Sequence, residues 1–150
     1  MADTSPNDNR IGLLIWKISN LWQSKIRFLL KEYDLTVNEY LILETLFKIQ
    51  MTNNNISQQD ICKNSSIDRA VVSLKITKLE KKNLILKIDP IDKRSDSLQL
   101  TNEGKSLISG IINSIENEEQ LIFEKLGNEI FNFTNSLKLL LGKKIRIRAK

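Results

Sequence analysis

The sequence predicts a mainly α-helical fold with one small β-hairpin. Apolar residues recur at three- and four-residue steps through most of the 150 residues, the spacing that places side chains on one helix face. That pattern is interrupted clearly once, at 83–100, by two short extended runs around a charged turn that holds Pro90. With 41% hydrophobic and 27% charged residues, the chain has enough apolar surface for one packed domain of ordinary size.

Each element follows from local pattern. Ile11, Leu14, Ile15, Ile18, Leu21, Trp22, Ile26, Leu29 and Leu30 form a single stripe, predicting a long first helix over about 10–33. Val37 to about Gln50 is a second helix, entered through Thr36, whose hydroxyl suits an N-cap. The stretch "MTNNN" ends it. Ser57 can cap a short third helix over 57–64, with Asp60 at the positive end of the helix dipole, and Asn64-Ser65-Ser66 stops it. A fourth helix runs over about 68–82, "NLILKI" and "DSLQL" are strands flanking a turn, and Thr101 caps a fifth helix. Helical spacing then continues to about Leu141, with a break near Gly127-Asn128. No repeat or flexible linker divides the chain, so the expected organisation is a single domain over 1–150.

Charge and chemistry narrow the function classes. A net charge of +5 favours a polyanionic partner. No apolar run approaches the roughly 18 residues of a membrane span, and "MADTSPNDNR" lacks the basic start and apolar stretch of a signal peptide, so the expected location is the cytoplasm, with no membrane partner. One cysteine, Cys62, permits no internal disulfide, and with no histidine the usual zinc and acid–base constellations cannot be assembled. The expectation is no metal, no cofactor and no enzymatic activity.

The fourth helix, "DRAVVSLKITKLEKK", divides into two faces. Val72, Ile76 and Leu79 share the core side, and the opposite side carries Ala70, Ser73, Leu74, Thr77 and Lys81, with Arg69, Lys75 and Lys78 at its edges. A merely solvated face would be rich in Glu and Lys. This one is small, hydroxylated or apolar, which suits a DNA groove: hydroxyls bond base edges or phosphates, and Ala or Leu can touch thymine methyls. The alternative is that Leu74 packs on the second helix. A short helix, a tight turn, an amphipathic helix and then a hairpin is the order of a winged helix-turn-helix, with the tip at 89–96 as the wing. An arginine at such a tip is favoured by the negative potential of a narrow minor groove, although any exposed hairpin tip tends to carry charge.

Residues 56–108 resemble the core of the MarR family of bacterial transcription regulators. The pieces that carry the resemblance are "IDRAVVS" entering the fourth helix, "LEKKNLI" leaving it, "DPIDKRSDSLQLT" as the wing and "LTNEG" opening the fifth helix; "LTVNEYLILETL" at 35–46 resembles the family's second helix. The resemblance implies a mainly α, winged helix-turn-helix fold with a DNA-binding lobe at about 35–101 and dimerisation helices at about 10–33 and 102–142. It implies a homodimer that binds double-stranded DNA at a pseudo-palindromic operator and regulates transcription, as a repressor. The expected DNA-binding residues are Arg69, Ala70, Ser73, Leu74, Thr77 and Lys78 on the recognition helix, and Asp92, Lys93 and Arg94 in the wing. By resemblance Arg94 is the wing arginine and Asp92 orients it.

The chain also departs from the family pattern. Leu74 stands where an arginine is common, Ser65 and Ser66 replace an apolar residue and a turn glycine, and Asn83 replaces a glycine after the recognition helix. Asparagine tolerates the left-handed conformation a helix end requires. The tail "KKIRIRAK" carries five basic residues in eight, which either add phosphate contacts or are a solvated end. Trp16, Trp22, Phe28 and Tyr40 either line a pocket for a small-molecule effector, as family members have, or pack in the core. Cys62 is expected to be a buried structural thiol, with oxidant sensing as the alternative. Glu116, Glu118, Glu119 and Glu124 are expected on a solvated helix face. Two rival functions remain open: a helical protein-interaction module that keeps the winged fold, and an enzyme using Cys62, which lacks any histidine base.

Overall fold

The computed structural model describes residues 9–88 and 97–143. Its elements are α1 (Ile11–Leu30), a 3-10 turn (Lys31–Tyr33), α2 (Val37–Gln50), α3 (Gln58–Ser65), α4 (Arg69–Lys81), β1 (Ile85–Ile88), β2 (Ser97–Leu100), α5 (Asn102–Phe123), a second 3-10 segment (Glu124–Glu129) and α6 (Ile130–Leu140). Residues up to Ile115 form one compact unit and those from Glu116 a second. No helix of the described residues is long and apolar enough to cross a membrane.

Three helix entries behave as their sequences predict. Thr36 and Glu39 form a reciprocal capping box: the Glu39 N–H donates to Thr36 Oγ1 at 3.2 Å and the Thr36 N–H to Glu39 Oε1 at 3.2 Å. Ser57 and Asp60 do the same for α3, at 3.1 and 2.9 Å. At α5 the Gly104 N–H donates to Thr101 Oγ1 at 2.9 Å. By contrast, Asp68 makes no side-chain bond at the start of α4.

Three helix exits use positive φ. Asp34, Ser66 and Asn83 adopt φ of 54°, 61° and 62°, and a side chain in this region is tolerated best by Asn and Asp. At Asn83 the chain makes a Schellman turn, with the Leu84 N–H donating to the Leu79 carbonyl at 3.0 Å and the Asn83 N–H to that of Glu80 at 2.9 Å. This turn occupies the first two residues of the expected "NLILKI" strand, so β1 begins only at Ile85. At Ser66 the N–H bonds the Cys62 carbonyl at 2.9 Å, and Ser65 Oγ accepts the Ile67 N–H at 3.2 Å. The Ser66 main-chain N–H and the Ser65 hydroxyl thus close the α3–α4 turn. The first helix ends at Leu30 rather than 33, where the winding tightens to 3-10 before Asp34 reverses it.

The core of the first unit draws on every α-helix and both strands in it. Ile26 and Leu30 of α1, Tyr40, Ile42, Leu43 and Leu46 of α2, Ile61 of α3, Val72, Ile76 and Leu79 of α4, Ile85, Leu98 and Leu100 of the hairpin, and Ile108, Ile111 and Ile115 of α5 are all buried. The antiparallel hairpin pairs Ile85 with Leu100 and Ile88 with Ser97. Its base is tied to the helices: the Leu98 N–H reaches the Ile56 carbonyl at 2.8 Å and the Leu100 N–H reaches Gln50 Oε1 at 3.0 Å. Thr101 closes the motif, its hydroxyl donating to the Asn83 carbonyl at 2.8 Å and its N–H to that of Leu84 at 3.0 Å.

In the second unit the expected break falls at Gly127, where φ is 54° and ψ −123°. The chain folds back there, bringing the Phe123 and Phe133 rings to 6.4 Å.

Gly104 stands against the Leu84 carbonyl, so an added Cβ would overlap that oxygen and also meet Thr101 Oγ1 at 3.3 Å. Gly104→Ala is expected to cost about 1–3 kcal/mol of folding stability. Gly110, on the same helix with nothing near its Cβ position, is the control: Gly110→Ala should gain about 0.5–1 kcal/mol. Urea denaturation of the two variants checks the contrast, and equal shifts would refute the close-approach account.

Candidate nucleic-acid interface

The rotation of α4 about its axis decides what it offers. Val72, Ile76 and Leu79 are fully buried against the core, which forces Ala70, Ser73, Leu74, Thr77 and Lys81 outward, with Arg69 and Lys78 also exposed and Lys75 half-buried at the margin. Leu74 is 57% exposed. It is not among the hydrophobic residues that pack against the core, so packing on α2 is not the role of this residue: it stands on the side of α4 away from Val72, Ile76 and Leu79. Thr77 Oγ1 donates to the Ser73 carbonyl at 3.2 Å, the usual back-bond of a mid-helix threonine.

Two charged contacts fix the far end of this helix. Lys82 Nζ lies 3.1 Å from Glu39 Oε2, donates to the Asp34 carbonyl and stands 3.8 Å from the Asp34 carboxylate. Glu39 is only 2% exposed. Burial pushes its carboxyl pKa up, but the Lys82 ammonium and the Thr36 N–H and hydroxyl outweigh that and hold it below the ordinary value of 4.5. Farther on, Lys87 of β1 pairs with Glu80 of α4 at 3.3 Å, joining hairpin to helix. Neither pairing was visible in the sequence. Glu39 could be recognised as a capping-box residue, yet nothing local points from it to a lysine 43 residues away.

The remaining expected residues fall in different places. Asp92, Lys93 and Arg94 lie at 89–96, outside the described residues, as does the tail from 144 on; the strands that would carry the wing tip are described and firmly anchored. Cys62 is half-buried at the edge of the core rather than fully buried, because α3 is short and Ile61 takes its inward position. The four aromatic residues share no common environment. Tyr40 is in the core with its hydroxyl donating to Glu44 Oε1 at 2.9 Å, and Trp22 packs partly against the core. Core packing fails for Trp16 and Phe28, which are 65% and 77% exposed on α1. Among the acidic residues of the fifth helix region, Glu116 and Glu124 are exposed and Glu118 and Glu119 half-buried.

A short helix, a left-handed turn at Ser66, a helix with one face in the core and the other bare, and a hairpin anchored beside it are the parts of a winged helix-turn-helix protein. A family model described as transcriptional regulator SarA/Rot matches residues 24–111, and the chain belongs to that family. The HTH-type transcriptional regulator YdcH of Bacillus subtilis (strain 168), itself uncharacterized, is 29% identical over 140 residues, covering 93% of this chain and 91% of its own. Two solved structures share the fold. Staphylococcus aureus MepR, in its complex with DNA, has a TM-score of 0.79 at 23% identity over 91% of this chain and 97% of its own. A MarR-family regulator from Rhodococcus sp. RHA1 has a TM-score of 0.80 at 16% identity over 96% and 100%. The architecture is therefore that of a MarR-type winged-helix regulator.

Removing the ammonium should expose the cost of the buried carboxylate. Lys82→Met is expected to lower stability by about 1–3 kcal/mol at neutral pH. The sign with pH follows from the lowered value: the unfolded chain takes up Glu39's proton first as pH falls, so this stabilisation is complete above 4.5 and is lost as pH drops through the lower folded-state pKa. Urea melts of both proteins between neutral and acid pH should show the gap narrowing toward acid. A gap independent of pH would separate Lys82 from Glu39.

Proposed function

We propose that this transcriptional regulator is a sequence-specific, double-stranded-DNA-binding repressor that acts in the cytoplasm as a homodimer on a pseudo-palindromic operator, and that it is not an enzyme. The observation that supports this most is the bare outer face of α4. A helix whose other side is locked in the core presents Ala70, Ser73, Leu74 and Thr77 between the cations Arg69 and Lys78. Hydroxyl and small apolar groups suit base edges, and flanking cations suit the phosphates on either side of a major groove. The DNA complex known for the similar MepR agrees with that reading. On the same proposal Asp92, Lys93 and Arg94 extend the interface from the wing, and the lobe at about 35–101 is the DNA-binding part.

The homodimer is supported by surface that one copy leaves bare. On α1, Ile11, Leu14, Ile15, Trp16, Ile18 and Leu21 are all more than two-fifths exposed, and so are Leu139, Leu140 and Leu141 at the end of the second unit. Apolar faces of this extent are interaction surfaces. A second copy of the chain, through helices about 10–33 and 102–142, supplies a closed, symmetric partner. Repression then follows from occupancy, since a dimer spanning an operator that overlaps a promoter excludes polymerase.

Selection of bound sequences from random duplex DNA tests the central claim, and an enriched inverted repeat is the expected result. Analytical ultracentrifugation at micromolar concentration should show a dimer without DNA; a monomer would remove the proposed assembly. Arg94→Ala should leave fold and dimer intact while weakening operator binding by roughly 1–3 kcal/mol and flattening its salt dependence. Unchanged affinity would take the wing out of the interface.

A further inference from the structure

The recognition face carries a detail that general DNA binding does not explain. Ala70, Leu74 and Thr77 follow one another at steps of four and three, so at about 100° per residue they lie within an arc of roughly 60° and extend about 10 Å along the helix. That strip is apolar. Ala70 offers only a methyl, and Leu74 an isobutyl group that is 57% exposed. Thr77 has its hydroxyl hydrogen engaged by the Ser73 carbonyl at 3.2 Å, which leaves its γ-methyl and its oxygen lone pairs to a partner. Ser73 beside the strip retains its hydroxyl.

The chemistry of the groove then selects among bases. Guanine is read by a donor fork at O6 and N7, and adenine by an amide at N6 and N7; the strip has neither. Thymine presents a methyl group in the major groove, the one base-edge feature an aliphatic side chain can recognise. A leucine this exposed within a face bordered by Arg69 and Lys78 also fits a polyanionic groove better than an apolar protein partner, whose surface would have to bury those cations. Resting on the DNA-binding proposal above, we infer that Leu74 is a specificity-determining residue that packs on the C5-methyl of a thymine in each operator half-site, with Ala70 and Thr77 completing the apolar contact. The ligand feature is the methyl itself, not the base pair as a whole.

Deoxyuridine pairs as thymidine does and lacks only that methyl. The test measures binding of the full-length protein to a duplex carrying the selected operator, with each thymine of the half-sites replaced in turn by deoxyuridine. At one or two positions affinity should fall about fourfold per half-site, the loss of one buried methyl-sized group. Leu74→Ala should bind the thymine operator more weakly and discriminate thymine from deoxyuridine less than about twofold at the same positions. Its thermal stability should match the parent, because the side chain touches no core. Selective binding that is indifferent to every such replacement, an operator with no thymine beneath the helix, or methyl sensitivity that persists in Leu74→Ala would each overturn the inference while leaving DNA recognition standing. Failure of the parent protein to select any sequence would instead remove the DNA-binding reading, and this one with it.

Discussion

The burial of Val72, Ile76 and Leu79 against α2, α3 and the hairpin is the constraint from which the candidate interface follows. Each fully buried aliphatic side chain is worth about 1.5–3 kcal/mol relative to exposure, so turning α4 by even one residue's rotation would forfeit several kcal/mol. It would also push Ser73 and Thr77 toward an interior with no partner for them beyond the helix itself. The outward face is thus chosen by the inward one. An outer surface fixed in this way needs no stabilising contacts of its own, which is why Leu74 can remain exposed without loss to the fold.

What rotation does not fix, the two ends do. At its start α4 emerges from Ser66, held left-handed by the N–H bond to Cys62. At its finish the Schellman turn at Asn83 leads the chain into β1, and Lys82 draws the same end onto Glu39 and Asp34. Lys82 is about one-third exposed and Glu39 nearly buried, so the attraction is only partly screened. The carbonyls of Asn83 and Leu84 then accept from Thr101, and Gly104 lets α5 approach the second of them. Helix, hairpin and following helix are therefore joined through two adjacent peptide groups, and the strands that lead to the wing leave from that joint.

How much of this could be read from the sequence depends on the range of the interaction. Caps, turns and faces are local, so Thr36, Ser57, Thr101, Asn83 and the division of α4 were legible from residue type and spacing. Lys82–Glu39, Lys87–Glu80 and Leu100–Gln50 join positions apart in sequence, and no spacing rule marks them. Ambiguity of a different kind affected α1. A helical stripe shows that a face is apolar, but not whether it covers its own core or a second copy. Only Ile26 and Leu30, at the end of that stripe, are in the core, whereas Trp16 and Phe28 stand outside it. The resemblance drawn from residues 56–108 pointed to the right architecture, and the matching family model, SarA/Rot over 24–111, gives the narrower relationship.

On the proposed reading, Leu74 in place of an arginine separates two terms that are often combined in one side chain. An arginine in the groove contributes both charge and base readout, so salt weakens affinity and selectivity together. Here the cations Arg69 and Lys78 border the exposed strip and Lys81 follows it, while Ala70, Ser73, Leu74 and Thr77 themselves are uncharged. Counterion release from phosphates governs the charged part and is indifferent to sequence, whereas contact with a thymine methyl is apolar and nearly independent of salt. Raising ionic strength should therefore lower affinity for all duplexes by similar factors while leaving the ranking that α4 imposes largely unchanged. Competition between operator and scrambled duplex at two salt concentrations measures this directly. A selectivity that collapses with salt would mean that charged groups, not the aliphatic strip, do the reading.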